Sequence, residues 1–205
     1  MPPKDEPINL STYLSNLSGP SNKEPVGWLK LLQNVWNITM KVADIDWENW
    51  QAEMFATLLF VVKDDHVLLI RKKRGLGAGK INGPGGKIDP GETPMACAIR
   101  ETQEELLITP LNVQARGELF FHAEDMPRIH GYVFTATDYE GTPTETEEAI
   151  PLWTRTTDVP FDDMWDDDRL WLPNVLAGQS INGWFTFVGE RMLDHAIEVV
   201  VEVTV

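Results

Sequence analysis

The stretch Gly86 to Ile108, GKIDPGETPMACAIRETQEELLI, constrains this chain more than any other. Met95, Ala98, Ile99, Thr102 (through its methyl) and Leu106 recur at intervals of three and four, the spacing of one buried stripe on a helix. Thr93 suits the N-cap and Pro94 the first helical position. The helix also carries carboxylates. Glu101 and Glu104 lie three apart and Glu101 and Glu105 four apart, so the three share a face, with Glu92 just ahead. Like charges this close repel each other. Arg100 is placed to pair with Glu104, but one arginine does not offset the whole cluster. A hard divalent cation does, because Mg²⁺ takes carboxylate and water oxygens and bridges to phosphates. The plainer reading of any acidic run is a solvated helix face.

Charge and cysteine content narrow the function classes. With 17 basic against 32 acidic residues, the net charge is −15. Such a surface disfavours duplex nucleic acid and anionic membrane as partners. The single cysteine, Cys97, excludes an internal disulfide and a multi-cysteine zinc site. It sits between alanines and reads as a small core residue in a reducing compartment. His66, His122, His130 and His195 are scattered without metal-ligand spacing, and no G-x-S-x-G supports a serine hydrolase. No secretory leader is expected from MPPKDEPINL, and no apolar run reaches the length of a membrane span. A cytoplasmic protein is expected.

The 205 residues suit one domain plus an appendage. Residues 1–25, rich in Pro, Ser and Asn, read as a loosely docked tail. Trp28, Leu29, Leu32, Val35 and Trp36 recur at helical spacing in residues 26–40, a docking or oligomerisation helix that leaves monomer and homodimer both open. Trp47 and Trp50 read as packing anchors. The expected division is an extension over residues 1–50 and a main domain over 51–205.

Within that domain, FATLLFVV, the turn KDDH and VLLIRKK form a hairpin. Arg71, Lys72, Lys73 and Arg74 make a dense basic cluster, either a solvated strand end or a phosphate contact. The loop GLGAGKINGPGGK follows, with six glycines in thirteen residues and no Walker ending. Residues 108–139 read as two or three strands. Ile150 to Trp153 reads as a strand, a short helix runs from about Asp166 to near Gly178, and two β-rich runs close the chain. Strands with two or three helices give an α+β domain.

The full spacing resembles the signature of the Nudix hydrolases: Gly86, five residues, Glu92, seven residues, Arg100-Glu101-x-x-Glu104-Glu105, then Ile108. Thr102 replaces an aliphatic residue and Leu107 a glycine. If position 107 needs a left-handed backbone, leucine costs roughly 1–2 kcal/mol. The segments KKRGLGAGKINGPGGKIDPGET, GTPTETEE, PFDDMWDDDRLWLP and GWFTF extend the likeness to the MutT-homologue branch, over roughly residues 55–200. The resemblance implies a mixed β-sheet flanked by helices, an α/β/α sandwich. It implies Mg²⁺-dependent hydrolysis of oxidised purine nucleoside triphosphates, with Mn²⁺ as a possible substitute metal. By the same resemblance Glu101, Glu104, Glu105 and Glu148, with Gly86, hold the metal, Glu147 being an alternative to Glu148. Glu105 handles the attacking water, and Glu101 and Arg100 complete the catalytic group. Asn82 meets the purine edge, Trp165 stacks on the base, and Asp167 and Asp168 face the oxidised base. Thr57, Lys72 and Phe121 line the nucleoside pocket. Pro84 stands where animal relatives carry an aromatic residue, and Ile129 where they tend to carry methionine. The missing aromatic at Pro84 leaves room for another nucleoside diphosphate derivative as substrate (ADP-ribose, a dinucleotide or an RNA 5′ end). A third reading, a non-catalytic Nudix-like binding module, is opposed by the retained Glu101, Glu104 and Glu105.

Overall fold

The structure is a computed structural model that describes residues 40–200. The tail and the amphipathic helix expected before Met40 lie outside the described residues, as do Val201–Val205 of the last β-rich run.

Strand β1 (Met54–Lys63) turns into β2 (His66–Lys72) through Asp64 and Asp65. Both turn residues have positive φ, 48° and 59°, as the two-residue hairpin turn that matches strand twist requires. β3 (Ile81–Asn82) lies within the glycine-rich loop and pairs with the end of β2. Helix α1 (Pro94–Leu106) follows, then β4 (Ile108–Leu111), β5 (Gln114–Ala123), β6 (Ile129–Ala136), β7 (Asp138–Gly141) and β8 (Ala149–Arg155). Helix α2 (Asp168–Leu176), β9 (Ser180–Val188) and β10 (Arg191–Val200) complete the described chain. Residues 108–141 thus form four strands, where the sequence suggests two or three. Short β4 and β7 pair only with each other, so their local pattern is weak.

The main sheet runs β10-β9-β5-β6-β1-β2-β3, with β8 on the other side of β2. β1–β6 and β5–β9 are parallel and the remaining pairs antiparallel. Each face carries its own core. Leu59, Val61, Leu68, Ile70 and Phe134 pack with Ala98 and Leu106 of α1. Phe60, Val67, Leu69, Leu119 and Phe185 pack with Trp171, Leu172 and Val175 of α2. Covering on both faces explains why Leu59, Phe60 and Val61 are all buried, with no polar alternation. This is an α+β sandwich with a mixed sheet between helices. Among the described residues, no helix is long and apolar enough to cross a membrane.

Gly117 joins the two halves of the sheet. It has φ 120°, and a Cβ there would stand 1.6 Å from the Ile181 carbonyl oxygen, so only glycine permits the β5–β9 pairing. Residues 40–50 lie against β5, β9 and β10. The Met40 carbonyl accepts from Thr186 Oγ1 at 2.6 Å, and the Val42 N–H donates to Asp194 Oδ2 at 2.9 Å. Trp50 Nε1 donates to His122 Nδ1 at 3.2 Å, and its ring meets Phe120 edge-on.

Candidate active site

Helix α1 starts as its sequence requires. Thr93 Oγ1 accepts from the Ala96 N–H at 3.2 Å, with Pro94 at the first helical position. Its buried positions are Cys97, Ala98, Thr102, Glu105 and Leu106. Of the expected stripe, Met95 is instead 42% exposed and Ile99 only half-buried, while Cys97 and Glu105 face inward. Thr102 donates its hydroxyl to the Ala98 carbonyl at 2.7 Å, which satisfies the polar atom at an otherwise aliphatic position. Leu107 adopts φ 58° and ψ 32°, the left-handed conformation, and stays exposed.

The glutamates are divided among cations. Arg100 donates to Glu92 at 2.9 Å, to Glu101 at 2.8 Å and to Glu104 at 3.1 Å. This contact holds the Glu92 carboxyl down at about 2. Glu105 turns inward and is only 1% exposed. Its Oε2 accepts from the Gly85 N–H at 2.9 Å and its Oε1 from Lys72 Nζ at 3.2 Å. Burial raises the Glu105 carboxyl above its ordinary range, and Lys72 and the Gly85 N–H oppose that rise. Glu148, at the start of β8, pairs with Arg74. Among the described residues, no three acidic, histidine or cysteine side chains already converge as a metal cage. Gly86 is shaped for the carboxylate beside it. A Cβ there would lie 2.4 Å from Glu101 Cδ and 2.5 Å from both carboxylate oxygens.

The basic cluster is wholly paired. Arg71 reaches Asp163 at 3.2 Å and Lys73 reaches Glu145 at 2.7 Å, while Lys72 and Arg74 point into the cleft. Strand alternation does not explain this split alone, since Arg74 lies past the end of β2, where the glycine loop begins.

The cleft has a volume of about 570 Å³. Thr57, Lys72, Asn82, Gly86, Phe121, Glu148, Trp165, Asp167 and Asp168 all line it. Asn82 Oδ1 accepts from the Gly83 N–H at 2.8 Å, so its amide NH₂ remains to meet a ligand. Asp167 Oδ2 accepts from Trp171 Nε1 at 2.9 Å, and Asp168 Oδ2 accepts from the Trp165 N–H at 3.0 Å. Both carboxyls are buried at the start of α2. Burial pushes Asp167 up to about 6. Burial, then the neighbouring Asp167, raises Asp168 well above the carboxylate range. Adjacent buried carboxyls of this kind give a proton donor and an acceptor side by side.

The structure therefore joins an acidic, cation-laced end to an aromatic end with two buried aspartates. Ile129 lines the cleft, but Pro84 does not; its carbonyl accepts from the Leu59 N–H at 2.9 Å. Arg100, Glu101, Glu104 and Glu105 are not among the lining residues: Glu105 meets the lining through Lys72 and Gly85, Glu101 lies beside Gly86, and Glu104 is exposed. Three pairings are not read from the sequence, although Arg74 itself stands in the basic cluster: the Gly85 N–H on Glu105, Arg74 on Glu148, and Trp171 on Asp167. Trp171 alone leaves a trace, four residues after Asp167 at helical spacing.

The mixed sheet between helices thus sets a carboxylate-rich helix beside a cleft with an aromatic lining. The sequence profile of the NUDIX domain matches residues 53–175, and the chain belongs to that family. It is a Nudix hydrolase. It is 39% identical over 146 residues to a protein of Danio rerio named oxidized purine nucleoside triphosphate hydrolase, spanning 69% of this chain and 92% of that one. It is 34% identical over 86 residues to the 8-oxo-dGTP diphosphatase of Escherichia coli, spanning 42% and 66%. The crystal structure of a MutT protein from Bacillus halodurans superposes with a TM-score of 0.64 at 26% identity, covering 71% of this chain and 97% of that one.

Proposed function

We propose that this chain hydrolyses oxidised purine nucleoside triphosphates, of the 8-oxo-dGTP type, to the monophosphate and diphosphate, clearing them from the nucleotide pool. The observation that carries this reading is the buried Asp167–Asp168 pair beside Trp165. Oxidation at the purine five-membered ring turns an acceptor nitrogen into an N–H and adds a carbonyl. A neutral and an ionised carboxyl together complement the altered edge. Trp165 supplies a stacking face and the Asn82 amide a further donor.

Hydrolases of this family generally use a divalent metal. The residues here fit Mg²⁺, with Mn²⁺ as a substitute: Glu101, Glu104, Glu105 and Glu148 offer hard oxygen donors, and Gly86 leaves the Glu101 carboxylate room against the loop. A metal held there would supply charge neutralisation at the phosphates and a more acidic water. The chain supplies the rest. Lys72 and the Gly85 N–H hold Glu105, which in this reading orients or deprotonates the attacking water. Arg100 positions Glu101 and Glu104. Lys72 and Arg74 meet the polyphosphate, and Thr57 and Phe121 border the nucleoside.

The division into an extension over residues 1–50 and a hydrolase domain over 51–205 belongs to the same proposal, as do a cytoplasmic setting and a monomer or homodimer. The contacts of Met40, Val42 and Trp50 support counting residues 40–50 as docked on the domain.

The test is magnesium-dependent turnover of 8-oxo-dGTP against dGTP. The expected kcat/KM ratio exceeds roughly tenfold, about 1.4 kcal/mol at the transition state. Glu105→Gln should lower kcat by about 100-fold or more. Equal turnover of both nucleotides sinks the assignment of the oxidised base.

A further inference from the structure

We propose that Lys80 is a positioning residue for the base: its ammonium, seated on the Trp165 ring, fixes the indole against which the purine stacks. The inference rests on the reading above that Trp165 carries the base. Lys80 Nζ lies 4.9 Å from the ring centroid. It also reaches Glu190 Oε2, in the β9–β10 turn, at 3.1 Å, so the charge has two partners in a half-buried position.

The backbone of Lys80 is fixed as well. Its N–H donates to the Gly77 carbonyl at 3.0 Å, and its own carbonyl accepts from the Lys72 N–H at 3.0 Å. Gly77, at φ 78°, presses the loop onto the edge of the indole; a Cβ there would stand 3.1 Å from Trp165 Nε1. Asp168 holds the Trp165 backbone N–H. The tryptophan is thus gripped at its backbone by Asp168, at its edge by Gly77 and over its ring by Lys80. Trp165 lines the cleft and Lys80 is not among the lining residues, so the proposal puts the ammonium on the ring face away from the ligand. A cation there also draws electron density from the ring, which favours stacking of an electron-rich oxidised purine on the open side.

Steady-state kinetics on 8-oxo-dGTP with the full chain tests this, with thermal melts on every variant. Lys80→Ala and Lys80→Met should each raise KM about threefold or more while kcat stays within about twofold, and Lys80→Arg should restore KM. Methionine keeps the stem and removes the charge. A parental KM for Lys80→Met reduces the residue to packing and overturns the inference. A fall in kcat at unchanged KM overturns it too. Trp165→Ala separates the two readings. If it raises KM and the Lys80 variants do not, only the inference fails. If it leaves KM unchanged, the base does not stack there and both readings fail.

Discussion

At the scale of single residues, Asp167 shows how a side chain proposed to meet the base is set against stability. It is buried, and burial raises its carboxyl from 3.8 to about 6. Between those values the folded chain holds a proton that the unfolded chain has lost. Stability therefore falls as pH rises through this window and stays lowered above it. Asn at this position keeps an oxygen for Trp171 Nε1 and cannot ionise. Asp167→Asn should thus gain stability relative to the parent, on the order of 1–3 kcal/mol at pH 8, with the gain shrinking toward pH 4. Urea unfolding at the two pH values measures it. A gain that is equal at both pH values means that the ionised carboxylate carries no such cost. Site residues that are neighbours along the chain, such as Trp165 with the aspartates, are legible in the sequence itself. Their hydrogen-bond partners are legible only where helical spacing sets them, as with Trp171. The signature marks position 107 for a glycine, and the chain accepts the left-handed backbone with leucine there, at an exposed helix end.

At the scale of elements, α1 and β2 are joined by one charged contact, Lys72 to Glu105. The side chains are 21% and 1% exposed, so the glutamate depends on its partner far more than the lysine does. Lys72→Met should leave a buried carboxylate with only the Gly85 N–H and destabilise the fold by about 2–3 kcal/mol. Adding Glu105→Gln to the same chain should recover most of that loss, since the charge needing a partner is gone. Additive single losses in chemical denaturation would deny the coupling. Spacing along the chain does not reveal this contact, because residues 72 and 105 meet through sheet and helix packing. The same holds for sheet order. The helix, the first hairpin and the closing strands carry local patterns, whereas the parallel β1–β6 and β5–β9 pairings join segments far apart in sequence. Gly117 marks one of these joints, but a lone glycine in a strand does not name the strand it will touch.

At the scale of the whole molecule, the proposed function requires an anionic body to admit an anionic substrate. The chain carries −15, and Lys72 and Arg74 in the cleft are each engaged by a carboxylate. Long-range forces therefore oppose a triphosphate, while attraction acts only at contact distance. Salt separates the two. Raising monovalent salt from about 10 mM to about 150 mM shortens the screening length from roughly 30 Å to roughly 8 Å. Repulsion by the distant acidic surface then fades, and contacts inside the cleft are screened much less. At fixed free Mg²⁺, kcat/KM for 8-oxo-dGTP should rise about twofold over this range, with the change in substrate capture and not in kcat. A basic-walled cleft behaves in the opposite way, its on-rate falling as salt is added. A steep fall here would mean that Lys72 and Arg74 leave their carboxylates before the substrate arrives, so that the cleft steers the triphosphate in despite the surface around it.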